Sequence, residues 1–410
     1  MNKHFLVLCV FLVTIPVAMA STWYVDGVKG NDNNDCMSRQ TACKTIGHTI
    51  SLASSGDSIM VTAATYFENL VITKSLAILG SGRLTTVIDG EGSDSVVIVD
   101  NSNARVALSG FTIRNGASNN GAGIWNNGRL GISGCEIVEN SANGGCKLGV
   151  NCLGGGIYNE GNLTIRRSHV ADNKAGDSQG RYGEGGGIYS VFATTTIIRS
   201  TIDGNHGFAG AGIEAILGTM TIESSTISSN FSGGGGAGID NESTTAIDNS
   251  TISGNNSSGV GGGINNGGTL VLSNSTVAEN TAPFEQGAGI RNWSGTTRLQ
   301  NTLVANNSQA DNCIGAMLSN GYNLSSDDTC NFNGPGDLNN TDPMLGRLRD
   351  NGGPTQTQAL LRGSPAIDAG NPSGCVDGQG HLLKTDQRGA PRPDPEDQHC
   401  DIGAYELQNP

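Results

Sequence analysis

Apolar residues and glycines recur along the middle of the chain with a period far longer than a helix turn or a strand, the signature of stacked repeats. Gly-x-Gly-Ile or a close variant places its Ile at Ile124, Ile157, Ile188, Ile213, Ile239, Ile264 and Ile290, at intervals of 33, 31, 25, 26, 25 and 26 residues. An Asn follows each Ile by 16 or 17 positions: Asn140, Asn173, Asn205, Asn230, Asn255, Asn280 and Asn307. Eight residues before that Asn stands Ile132, Ile165, Ile197, Ile222, Ile247, Leu272 or Leu299, and three before it Ile137, Val170, Ile202, Ile227, Ile252, Val277 or Val304. Short, β-branched, Gly-interrupted segments predict strands rather than helices. One coil of roughly 25 residues cannot bury its apolar face alone, so stability must come from coils stacked on one another. The pattern therefore predicts an all-β fold, a right-handed parallel β-helix.

Three polar columns fit the same stack. The Asn at each turn is placed to bond its neighbours in the coils above and below, a structural ladder that satisfies buried polar groups. A second column follows each Gly-Ile by two residues: Asn126, Asn159, Asn241, Asn266 and Asn292, with Ser190 and Ala215 as replacements. A third lies five residues before the turn Asn: Cys135, Ser168, Ser200, Ser225, Ser250, Ser275 and Thr302. Cys135 thereby reads as a thiol packed in a wall of small residues, not as a nucleophile.

Toward the N-terminus, 59–61, 70–72, 76–79, 87–88, 96–99 and 106–108 read as strands of less regular coils. The span 43–53, with Ile46, Ile50 and Ala53 at helical spacing, reads as an amphipathic helix capping the apolar end. Residues 1–20 carry Lys3, an apolar run from Phe5 to Val17, and Ala18-Met19-Ala20, which together predict a signal peptide removed before Ser21. No later segment approaches the ~18 apolar residues of a membrane helix, so no transmembrane segment is expected. The expected location is extracellular or at the cell surface, with the periplasm as an alternative.

Composition changes the picture in one respect. With 62 Gly among 410 residues, 15% charged and 5% aromatic, the chain is a repeat rather than a set of ordinary globular units. A formal charge of -14 argues against nucleic acid and anionic membrane surfaces as partners. In an oxidising compartment, proximity along the chain pairs Cys36 with Cys43, Cys146 with Cys152, Cys313 with Cys330 and Cys375 with Cys400, leaving Cys135 free.

The Gly-x-Gly-Ile and Ile-x-x-Asn elements resemble the repeats of polymorphic outer-membrane proteins, with Ile or Val in place of that family's Phe. The C-terminal stretch resembles a choice-of-anchor Q domain through Asn351-Gly352-Gly353-Pro354-Thr355-Gln356-Thr357, Ser364-Pro365-Ala366-Ile367-Asp368-Ala369-Gly370, Asp386-Gln387-Arg388-Gly389 and Asp401-Ile402-Gly403-Ala404-Tyr405-Glu406. These resemblances imply a pectate-lyase-like bacterial solenoid in a cell-surface setting, anchored or freely secreted. They divide the chain into 1–20, the β-helix with its N-terminal cap over 21–345, and the anchor-like region over 346–410. Asp368, Asp386, Arg388, Asp401 and Glu406 are expected to form an internal ion-pair network over the last coil, an irregular C-terminal cap.

Candidate chemistry concentrates in the position just after each Gly-Ile, which should point outward: Trp125, Tyr158, Tyr189, Glu214, Asp240, Asn265 and Arg291. With coils about 4.8 Å apart, the aromatics would form an exposed stripe continued by two carboxylates, the preceding Gly leaving a groove open. Two readings stay open. Trp125, Tyr158, Tyr189, Glu214 and Asp240 bind an extracellular polysaccharide or host glycan, or the aromatics merely stack and the acids are solvated. Carboxylates on successive coils also suit a retaining glycosidase or calcium bridging to an acidic sugar. The connections 141–154 and 174–184 should rise beside the aromatic end.

The motifs of polygalacturonase-like enzymes are absent in their usual arrangement, and no Arg accompanies Glu214 and Asp240 as a lyase base. No catalytic residue is assigned. Noncatalytic adhesion or glycan binding is the first expectation, and a polysaccharide lyase or glycoside hydrolase the alternative. No cofactor is expected, calcium being the one ion that the Asp26, Asn31, Asp32, Asn33 and Asp35 loop would suit, although a turn-rich acidic loop explains it as well.

Overall fold

The computed structural model describes residues 20–177, 181–283, 285–309, 311–395 and 399–408. The proposed signal peptide lies outside these residues apart from Ala20. Within them the chain winds as a parallel β-helix. Its longest sheet runs from the strand Thr22–Val25 to Met317–Ser319, a second has eleven strands from Ala64–Phe67 to Leu324–Ser325, and a third has six two-residue strands from Ala117–Ser118 to Asn256–Ser257. Equivalent repeat positions pair without slippage, as in Ile213↔Ile239↔Ile264↔Ile290 and Ile202↔Ile227↔Ile252↔Val277. The predicted inward columns are fully buried and form one continuous core along the axis.

The turn Asn residues build the expected ladder. Each donates Nδ2–H to Oδ1 of the next, from Asn140 to Asn173 at 3.0 Å through Asn230 to Asn255 at 2.9 Å and Asn280 to Asn307 at 3.0 Å, and Asn312 continues the row. The backbone N–H of each ladder Asn donates to the same oxygen, so one amide serves two donors from the coil before it. The second Asn column is bonded likewise, Asn126 to Asn159 and Asn241 to Asn266, both at 2.7 Å. In the third column each Ser hydroxyl accepts the preceding coil's N–H, beginning with Cys135 N–H to Ser168 Oγ at 3.1 Å. Cys135 is buried and free, and burial pushes its thiol up from the ordinary range.

The N-terminal helix is shorter than expected, Ile46–Leu52, because Thr45 caps it and Ala53 already has extended backbone. Glu68 holds its first turn by accepting from Ile46 N at 2.8 Å and Gly47 N at 2.7 Å. Ile46 and Ile50 face inward and close the end of the core. All four expected disulfides are present.

The segment after residue 345 does not continue the coils. It packs Leu360, Ala366 and Ile402 on Leu303, Ala305 and Leu324, then runs back along one corner of the solenoid. Asn249 Nδ2 donates to Thr385 O, Asn274 Nδ2 to Val376 O and Asn301 Nδ2 to Asp401 O, while Gln387 reaches Thr226 and Thr251. The ion-pair network exists but has two centres rather than one: Arg388 pairs with Asp386 at 2.7 Å, and the fully buried Arg392 pairs with Glu406 at 2.8 Å. Asp368 contributes through its backbone N–H, which donates to Asp401.

Candidate functional site

Residues of the stripe stand in one column, as the repeat requires: Trp125↔Tyr158↔Tyr189↔Glu214↔Asp240↔Asn265↔Arg291. The stripe is nonetheless not an open surface. Tyr158, Tyr189, Glu214 and Asp240 are buried, at 8%, 7%, 5% and 7% exposure, and Trp125 is half-buried. The glycines produce this outcome. A Cβ on Gly185 would lie 2.6 Å from Tyr189 Cβ, one on Gly210 2.5 Å from Glu214 Oε2, and one on Gly235 2.3 Å from Asp240 Oδ2. The turn entering each strand therefore folds directly over the residue just past the Ile. The Gly immediately before Ile is not a groove opener either. In Gly212 a Cβ would sit 2.5 Å from Gly238 O and 2.9 Å from Asn230 Nδ2, so this column is kept bare by the Asn ladder and the next coil.

Beneath that cover the stripe is a packed polar and aromatic wall. Tyr158 and Tyr189 stack with centroids 5.5 Å apart and planes 5° from parallel, and Tyr158 OH donates to Glu160 at 2.8 Å. Glu214 Oε2 has no hydrogen-bond partner among the described residues. Burial, then the neighbouring Asp240, Glu184 and Glu242 carboxylates, push Glu214 well above the usual carboxylate range. Asp240 is also raised by burial, but it accepts from Gly236 N and Asn265 Nδ2, both at 2.9 Å. Arg291 reaches it only through Asn265, whose Oδ1 accepts from Arg291 at 3.0 Å. The connection 174–184 brings Glu184 to this wall, where it accepts from Asn151 of the other long connection at 2.8 Å.

The open surface lies around the next corner. A groove of about 540 Å³ is bordered by Phe192, Leu217 and Glu242 and floored by Thr194, Thr219, Thr244 and Thr269. These threonines are exposed and in register, with Thr296 continuing the row. Phe192 is 75% exposed, Leu217 58%, and Trp293, whose indole lies against Gly267 two coils beyond Leu217's neighbour Glu242, is 50% exposed. Phe192 and Leu217 hold left-handed backbone, φ 51° and 49°, which bulky residues adopt rarely. The sequence carries a signal for this site that the column reading passed over. From the second polar column to the following Thr the corner has two intervening residues at Asn241 and Asn266, but three at Ser190, Ala215 and Asn292. Each longer corner displays one of the three large apolar side chains.

The acidic N-terminal loop spends its oxygens on itself. Asp26 accepts from Val28 and Lys29 N–H, Asp32 from Lys44 and Thr45, and Asp35 from Met37 and Thr41. Cys36, Cys43 and His48 come together at metal-ligand range, but the disulfide takes both sulfurs.

Among curated proteins the chain has no match. Residues 186–338 match the family described as the right handed beta helix region. Among solved structures, pectate lyase Pel9A is similar at 14% identity over 96% of this chain and 98% of its own, with a TM-score of 0.57. XylC in complex with xylose is similar at 10% identity over 94% and 98%, with a TM-score of 0.52. Together with the parallel sheets, these likenesses identify the chain as an all-β right-handed parallel β-helix with the pectate-lyase-like fold.

Proposed function

We propose that this chain is an exported, noncatalytic glycan-binding protein, with residues 1–20 a signal peptide and 346–410 a choice-of-anchor Q-like region on a solenoid of polymorphic outer-membrane protein-like repeats. It acts at the cell surface or after secretion, contacting extracellular polysaccharide or a host glycan. Four disulfides support an oxidising destination. The observation that carries glycan binding is the groove bordered by Phe192 and Leu217 over a row of exposed Thr hydroxyls, with the exposed Trp293 further along the same corner. Aromatic faces meet the apolar C–H faces of a sugar, and hydroxyls meet its polar edge. Glu242 is the sole charged group lining the groove among the described residues, which favours a neutral sugar. The stripe lies around the corner from this groove, with the half-buried Trp125 at its accessible end. One of the similar structures is a pectate lyase and the other holds xylose, so saccharide contact is within the repertoire of the fold.

Retention of the protein on a panel of immobilised neutral and acidic glycans tests this. Phe192→Ala with Trp293→Ala should abolish retention of a neutral glycan while circular dichroism stays unchanged. Unaltered retention removes the groove from consideration. Catalysis is the second reading, favoured by Glu214 one coil from Asp240, both pushed up by burial, since neighbouring carboxyls with raised proton affinity suit acid and base roles. New reducing ends or unsaturated products that vanish in Glu214→Gln would establish it; their absence on every polysaccharide leaves binding.

A further inference from the structure

The corner between the long sheet and the second sheet holds a column of left-handed residues, one per coil: Gly110, Gly134, Arg167, Arg199, Ser224, Asn249, Asn274 and Asn301. From Ser224 to Asn301 the returning C-terminal segment covers this corner, its last contact being Thr355 Oγ1 to Ser224 O. On the two coils just beyond that edge, the small or Asn residues of the column give way to Arg. Left-handed backbone disfavours an Arg relative to Gly or Asn, so the turn itself does not explain the choice.

Both side chains line a cleft of about 520 Å³ between the solenoid and residues 353–356. Arg167 and Arg199 are exposed, and their guanidinium groups make no hydrogen bond or ion pair among the described residues. Of the carboxylates around them, Asp203 is engaged by His169 at 2.5 Å and Glu136 by Arg83 at 3.3 Å, while Asp350 accepts from Gly352 N–H at 2.9 Å and Glu223 lies beside Arg167 and Arg199 without pairing with either. In a chain of net charge -14, two uncommitted guanidiniums on adjacent coils, whose backbones lie about 4.8 Å apart, suit the planar or tetrahedral oxygens of an oxyanion.

We propose that this cleft binds an acidic oligosaccharide, with a carboxylate or sulfate ester held by Arg167 and Arg199 and sugar hydroxyls by Thr201, Thr355 and Gln356. A saccharide is favoured over a polyphosphate because the cleft offers two free cations beside neutral hydroxyl and amide partners, whereas a polyphosphate calls for many cations. The site is separate from the Phe192 groove and does not depend on it.

Titration calorimetry on the whole protein decides the matter, using a heparin-derived oligosaccharide, an oligogalacturonate, a neutral xylo-oligosaccharide and inorganic sulfate. Expected is binding of a sulfated or carboxylated oligosaccharide that weakens with salt, the responding arm naming the oxyanion. Arg167→Asn with Arg199→Asn, which installs residues the same column uses elsewhere and relieves the backbone, should lower that affinity by about tenfold or more. Phe192→Ala with Trp293→Ala should leave it unchanged. The proposal is overturned if neither acidic oligosaccharide binds, if the double Asn variant binds as tightly, or if sulfate alone or the neutral oligosaccharide binds equally well.

Discussion

Replacing Asn230 by Ala removes one rung from the middle of the ladder. Asn230 is fully buried; its Oδ1 accepts from Asn205 N and Asn205 Nδ2, both at 3.0 Å, and its Nδ2 donates to Ile202 O at 3.1 Å and Asn255 Oδ1 at 2.9 Å. Asn255 Oδ1 keeps another donor, Asn230 N–H, and each remaining bond of Asn205 survives. Two groups are left without a partner, Asn205 N–H and one Asn205 amide hydrogen, whereas Ile202 C=O keeps its place in the ladder between strands 201–203 and 226–228. At about 1–3 kcal/mol for each buried orphan, and with a water recovering part of it, the loss should be about 2–4 kcal/mol. Asn307→Ala at the half-buried end of the ladder exposes its partners to solvent and should cost about 1 kcal/mol. Urea denaturation combined with amide exchange of the coils around residue 205 measures both, the second because solenoids need not unfold in one step. Equal effects of the two substitutions, or a change under about 1 kcal/mol for Asn230→Ala, would refute the ladder as a source of stability.

Three further outcomes follow from particular contacts. Gly212→Ala forces a Cβ to within 2.5 Å of Gly238 O and should destabilise by about 2–3 kcal/mol, whereas Gly134→Ala, with nothing within 4 Å, should cost only the left-handed penalty of about 1–2 kcal/mol; thermal melting compares them. Burial, then the Glu406 carboxylate, raises Asp401 from 3.8 to about 7, and burial raises Asp248 to about 6. The folded state therefore holds protons that the unfolded state has released, so docking of the C-terminal segment should weaken as pH rises from about 4 to 7, by up to ~4 kcal/mol for Asp401. Proteolysis of that segment should be faster at pH 8 than at pH 5; the opposite order refutes the assignment. Cys135, buried and with its thiol pushed up, should stay unmodified by a thiol reagent in the native protein and react on unfolding.

The coil period, inward columns and ladders were legible because each depends on a residue type repeated at a fixed offset, where stacking turns sequence spacing into contact, and the four disulfides because each joins cysteines close along the chain. The docked path of the C-terminal segment was not, since Thr355, Gln387 and Arg392 meet residues more than a hundred positions earlier without any periodic trace. The second ion-pair centre, Arg392 with Glu406, joins residues only 14 apart but was missed because that spacing belongs to no repeated column.

The stripe failed as an exposed surface for a more instructive reason. Alternation along a strand correctly sends Tyr189 and Glu214 away from the core, but outward-pointing is not the same as solvent-facing when a glycine turn lies over the side chain. Gly185 and Gly210 lack a Cβ where Tyr189 and Glu214 need the space, so the residues that suggested an open groove are those that close it. The accessible chemistry instead marks places where the repeat is broken: an extra corner residue beside Phe192, Leu217 and Trp293, and Arg where the left-handed column elsewhere has Gly, Ser or Asn. In a solenoid whose regular columns are consumed by stacking, exceptions to a column carry the functional information, because regularity alone would have removed them.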